Sequence, residues 1–106
     1  MNDTKKDKEG MAAQITEGDQ DLKPGSIVVH LQNNSYAPQS LIIGKGIEVT
    51  FINDDDEQHS VTSSSDGFDL ELAPGELGKA RFDISGTFDY YCRYHPSMRG
   101  VVTVKD

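Results

Sequence analysis

From Ser26 onward the chain is a series of short runs in which apolar and polar residues alternate, cut apart by Gly, Pro, Asn and Asp. Successive side chains of a strand point to opposite faces, so a period of two commits such runs to β-structure with one buried face. "SIVVHL" sets Ile27, Val29 and Leu31 on one face against Val28 and His30. "GIEVTFI" does the same with Ile47, Val49 and Phe51, and "GKARFDI" with Ala80, Phe82 and Ile84 inward and Lys79, Arg81 and Asp83 outward. "GTFDYYC" places Phe88, Tyr90 and Cys92 together, and "GVVTV" places Val102 and Val104 inward. "SLII", "HSVTS" and "FDLEL" add shorter runs, with "NNSYAPQ", the acidic "NDDDE" and "APGE" as turns. About eight strands at this spacing, with no helical period, predict an all-β sandwich or barrel.

Residues 1–24 are of a different kind, charged and polar with few large apolar side chains. They bury too little surface to offset ordering, and read as a flexible polar tail ahead of a domain spanning 25–106. A short edge strand over Ala12 to Ile15 is the one element expected inside it. The 106 residues otherwise suit one domain with one core. A formal net charge of −8 leaves no basic face for phosphates, which excludes nucleic acid, and argues against an anionic membrane surface. It favours basic partner surfaces instead. No apolar run approaches the roughly 20 residues of a membrane-spanning helix, and residues 1–24 hold no apolar stretch of a secretory signal. A monomer is expected.

Near the C-terminus, "DYYCRYHPSMRG" holds the single cysteine, Cys92, with His95 and Met98 at C-x-x-H-x-x-M spacing. One cysteine makes no internal disulfide. Cys92 has the inward parity of its strand, and a loop of this length bends all three side chains toward one point. Thiolate, imidazole and thioether form a soft donor set suited to copper, and a His₂Cys site with a weak axial Met is the blue-copper arrangement. It needs a second histidine. His30 shares a face with Val28 and has no ligand-like neighbour. His59 stands where the acidic loop enters a strand, and is the choice. A lone cysteine is more often a buried small hydrophobe, but His95 and Met98 at ligand spacing outweigh that reading.

With these residues assembled, "GTFDYYCRYHPSMRGVVTV" resembles the C-terminal segment of the small blue copper proteins, the cupredoxins, and its short loop is most similar to the amicyanin branch. "YAPQSLIIGKGIEVTFINDDDEQHSVT" resembles the family's first-ligand region. The resemblance covers about Ser26 to the C-terminus. It implies a Greek-key β-sandwich, one type 1 copper ion, His59, Cys92 and His95 as equatorial ligands and Met98 as the axial one. It implies one-electron exchange with redox partner proteins, whose basic docking surfaces would meet the acidic run Asp54–Glu57, and an extracytoplasmic location, periplasmic or tethered at the cell surface through the N-terminal tail. The chain departs from the family at Ser60, where Asn is common after the histidine, and at Arg93, where Ser or Thr is common after the cysteine.

Four protein donors leave no coordination position for substrate, which speaks against an enzyme. Three histidines cannot supply a multicopper oxidase, and one cysteine cannot supply a binuclear copper centre. The competing readings are a copper delivery or storage module, which offers several Met or paired Cys, and a metal-free interaction domain. Zinc suits a His₂Cys site as well. For the acidic run itself, a solvated turn is the plainer expectation.

Overall fold

Alternation becomes burial strand by strand. The computed structural model describes residues 13–16, 18–65 and 67–106. Ten strands occur among them: β1 Ala13–Thr16, β2 Ile27–Gln32, β3 Ser35–Ala37, β4 Ser40–Gly44, β5 Ile47–Asn53, β6 His59–Ser63, β7 Asp69–Leu72, β8 Leu77–Phe82, β9 Gly86–Tyr91 and β10 Arg99–Lys105. They form two five-stranded sheets, in the orders β1-β8-β5-β2-β3 and β4-β10-β9-β6-β7. β2 runs parallel to β5 and β4 parallel to β10, while the other pairs are antiparallel. Chain connections cross between the sheets, as in a Greek-key sandwich. The inner faces close over Val29, Leu31, Val49, Phe51, Val61, Leu70, Phe82, Tyr90 and Val102, all essentially inaccessible to solvent.

Two strands go beyond the eight expected. In "NNSYAPQ", Asn33 and Asn34 both have positive φ, 55° and 56°. That is the requirement of a two-residue type I′ hairpin turn, and Asn tolerates it. The chain therefore doubles back at once, and Ser35–Ala37 pair with β2 as β3, burying Tyr36 opposite Leu31. β1 lies within the expected tail. The expected edge strand begins at Ala13, and Ala12, with the rest of residues 1–12, lies outside the described residues. Ala13 is buried opposite Phe82, so the sheet takes one strand from a segment whose composition reads as polar tail.

Three facing expectations need correction. Lys79, read as outward, is 3% exposed, because Asp19 comes over β8 and its carboxylate meets Lys79 Nζ at 2.8 Å. Ile84, read as inward, is exposed, because β8 ends at Phe82 and its alternation stops there. Ile47, at the first position of β5, is also exposed. Beside Asp19, the Gln20 side chain behaves as a surrogate strand residue. Its Nε2 donates to Leu77 O at 2.6 Å, and its Oε1 accepts from Leu77 N at 2.9 Å. These bonds satisfy backbone that β1 does not reach.

Tyr90, two residues before Cys92, is packed among aromatic rings of the core. Tyr90 meets Tyr36 edge-on at 4.8 Å and Phe51 edge-on at 5.7 Å. Gly100, opposite Tyr90, is what lets that ring lie flat. A Cβ there would come within 2.5 Å of Tyr90 Cε1.

Candidate metal centre

All four candidate ligands lie at one end of the β4-β10-β9-β6-β7 sheet. His59 opens β6, Cys92 follows the last residue of β9, and His95 and Met98 occupy the loop before β10. That loop is closed by its own backbone: Met98 N donates to His95 O at 2.8 Å, and Cys92 N donates to Met98 O at 3.1 Å. β6 pairs with β9 through Thr62–Tyr91 and Ser63–Tyr90. Continued past the strand end, this register brings the start of β6 to Cys92.

The inner pair is tight. His59 Nδ1 lies 3.5 Å from Cys92 Sγ, and both side chains are buried completely. Ser60 N donates to Cys92 Sγ at 3.4 Å. Met98 is buried in the same core cluster as Cys92. The His95 ring lies 5.4 Å from that of His59, is about one-third exposed, and rests its Nε2 on Glu57 Oε1 at 2.9 Å. Among the described residues no three His, Cys, Asp or Glu side chains converge as a ready-made metal cluster. The arrangement is a tight His59–Cys92 pair with His95 set at its rim. His30, the histidine not chosen, bonds Asp54 through Nδ1 at 2.6 Å instead.

Asp55 settles the orientation of His59. Its carboxylate meets His59 Nε2 at 2.8 Å and accepts the backbone amides of Asn33 and Asn34 at 2.8 and 3.1 Å. Burial opposes the charge on Asp55, but the bonds from Asn34, His59 and Asn33 outweigh it and hold the carboxyl below its usual range. An ionised carboxylate only accepts, so Nε2 donates to it, and Nδ1 is the ring nitrogen turned to the sulfur. Tyr36 adds a neutral wall. Burial first, then Cys92 and Tyr90, keep its phenol protonated, and it donates to Ser60 O at 2.6 Å.

The donor chemistry fits one transition-metal ion. A sulfur and a nitrogen bound to the same ion at about 2.3 and about 2.0 Å, with a tetrahedral angle, stand about 3.5 Å apart. Asp55 supplies the carboxylate that metal-binding histidines usually have on their other nitrogen.

Sequence reasoning missed Asp55, together with the wider role of its loop. Asp54 takes His30, Asp55 takes His59 and Glu57 takes His95, so each of the chain's three histidines leans on this one acidic run. The run is not the plain solvated turn expected of it. The i, i+4 spacing of Asp55 and His59 is a signal, but one that acquires meaning only once the turn is known. Asn53 holds the loop in place, its Nδ2 donating to Glu57 O and Leu72 O at 2.8 and 2.9 Å. Arg93, the departure from the family pattern after the cysteine, has a role that sequence reasoning left open. It reaches back to Asp69 and Glu71 of β7.

A two-sheet sandwich with a cysteine, two histidines and a methionine gathered at one end defines a class, the cupredoxin-like proteins. Residues 9–104 match the cupredoxin-like domain, and the chain belongs to that family. It is 32% identical over 84 residues to plastocyanin of Scenedesmus fuscus, a match covering 66% of this chain and 86% of that one. It is 31% identical over 91 residues to amicyanin of Paracoccus denitrificans, covering 80% and 70%. Among solved structures, an oxidised amicyanin variant superposes with a TM-score of 0.75 at 26% identity, covering 87% of this chain and 99% of that one. An amicyanin variant solved with Cu(I) superposes at 0.73, also with 26% identity, covering 86% and 98%.

Proposed function

We propose that the protein is a one-electron carrier that holds a single copper ion between His59, Cys92, His95 and Met98. The observation that carries the reading is the buried pair of His59 Nδ1 and Cys92 Sγ at 3.5 Å, with Asp55 fixing the imidazole so that Nδ1 faces the sulfur. The similarity to plastocyanin and to amicyanins, one of them solved with Cu(I), supports the choice of metal. When bound, copper supplies a couple between Cu(I) and Cu(II) that moves one electron without breaking substrate bonds.

Each residue then has a task. Cys92 provides the thiolate, and Ser60 N stabilises its charge. His59, tied to Asp55, and Met98, locked by the backbone bonds of its loop, keep their places whatever the charge of the ion. Rigid donors keep the rearrangement on electron exchange small. His95 is the one member of the set open to solvent, so its ring edge is where a redox partner approaches. Burial of the other three supports a resident ion over one that is handed on, which separates this reading from a delivery or storage module. The partner is a protein with a basic face, given the carboxylates around His95. The same resemblance supports a location outside the cytoplasm.

Titrating apo protein with Cu(II) tests the reading. One equivalent should give an intense visible thiolate-to-copper band, and His59→Ala should abolish it while His30→Ala should not. A colourless one-to-one complex would sink the proposal.

A further inference from the structure

Asp69 accepts two bonds at the edge of the site, from Thr62 Oγ1 at 3.0 Å and from Arg93 Nη1 at 2.6 Å. An ionised carboxylate cannot donate, so the Thr62 hydroxyl proton points to Asp69. The 2.7 Å contact between Ser60 Oγ and Thr62 Oγ1 must then run from Ser60 to Thr62. Ser60 Oγ, its own proton committed there, accepts the Arg93 N–H at 2.9 Å. The four bonds close a ring that leaves Arg93 by its backbone amide and returns through its guanidinium. Each hydroxyl proton in it has one place to go, Arg93 Nη1 also reaches across to Thr62 Oγ1 at 3.4 Å, and hydrogen bonds aligned in this way reinforce one another. Outside the ring, Glu71 takes the other guanidinium arm, and it also accepts from Gln58 Nε2 and Tyr94 Oη.

The ring grips both inner donors from one residue away. Ser60 follows His59, and Arg93 follows Cys92. Ser60 N bonds the Cys92 sulfur while Ser60 Oγ bonds the next amide along. We infer that Arg93 is a positioning residue: the ring Arg93–Ser60–Thr62–Asp69 sets the spacing between Cys92 Sγ and His59 Nδ1, and so tunes the copper site. The inference rests on the copper reading above. It also gives the Ser60 and Arg93 departures a joint meaning. The short serine hydroxyl spans the gap because it accepts from the Arg93 backbone, and the arginine side chain closes the circuit around it. Exposed ion pairs such as Arg93–Asp69 contribute little to stability on their own, so the effect belongs in geometry more than in melting temperature.

Thr62→Val removes the middle of the ring while keeping the side chain's shape, and Thr62→Ser keeps the hydroxyl. In apo protein, the Arg93 amide of the valine variant should exchange with solvent about tenfold faster than wild type, with the serine variant at the wild-type rate. With copper bound, the valine variant should show a shifted and weakened visible band and an altered reduction potential, and the serine variant should match wild type. Asp69→Asn, read the same way, serves if Thr62→Val does not fold. Unchanged exchange in the valine variant overturns the ring. Faster exchange with an unchanged spectrum and potential leaves a clamp with no hold on the metal, and overturns the positioning role. A wild-type protein that binds Cu(II) without the visible band overturns the copper reading instead, and the apo exchange rates still decide the ring.

Discussion

A carboxylate on the far nitrogen of His59 decides which face of the ring is free to bind. Asp55 does this while accepting two amides of the β2–β3 turn, so the site's innermost histidine is anchored to a hairpin of the other sheet. Removing such a partner typically costs 10–100-fold in metal affinity. Asp55→Asn should therefore lower copper retention by about that factor in competition with a chelator. Asp55→Glu, which keeps the acceptor, should recover part of it. Equal retention in all three proteins would show that the Nε2 bond is not what orients His59. Cys92, His95 and Met98 were legible as candidates because their relation is local, a fixed spacing in one loop. Asp55 was not, because four acidic residues in a row look alike until a turn gives each a direction.

At the level of the element, the register of β10 against β9 puts Gly100 under Tyr90. Tyr90 has little room to give, since Tyr36, Phe51 and Phe68 hold it. Gly100→Ala should destabilise the fold by about 1–3 kcal/mol, read by urea unfolding, because the new methyl must push a buried ring. The segment leading out of β1 makes a second prediction. The hydrogen bond from Lys79, and then the one from Asp21 N, lower the Asp19 carboxyl from its ordinary 3.8 to about 2. Between those values the unfolded chain binds more protons, so stability falls as pH falls. The stabilisation from the Asp19–Lys79 pair is complete above about pH 4 and is lost as pH drops toward 2. Asp19→Asn should melt below wild type at neutral pH, and the gap should close on acidification. A gap constant down to about pH 2 would show that Asp19 contributes through something other than its charge. Strand parity found the core of β2, β5 and β9. It failed at Lys79 because alternation sorts residues to faces and is blind to what later covers a face. It failed at β3 because a three-residue strand carries almost no period.

For the molecule as a whole, charge and size set how far it is felt. The net charge is −8 on a body 39 × 27 × 27 Å. At about 0.01 M salt the screening length is about 30 Å, comparable with the protein itself, so an approaching ion senses the whole charge. Near 0.15 M it is about 8 Å, and only the charges beside the contact point count. Oxidation of the copper-loaded, reduced protein by a cationic inorganic complex should therefore slow by about tenfold or more between about 0.01 and 1 M salt, while an anionic complex should speed up. The intermediate regime locates the contact. Asp56 adjoins Glu57, the residue resting on His95, whereas Asp106 follows the far end of β10 from the loop, about 20 Å along that strand. Near 0.15 M, stopped-flow rates with the cationic complex should fall for Asp56→Asn and stay unchanged for Asp106→Asn. If both variants slow equally, electrons do not leave by way of His95, since only an exit at that end makes the two positions unequal.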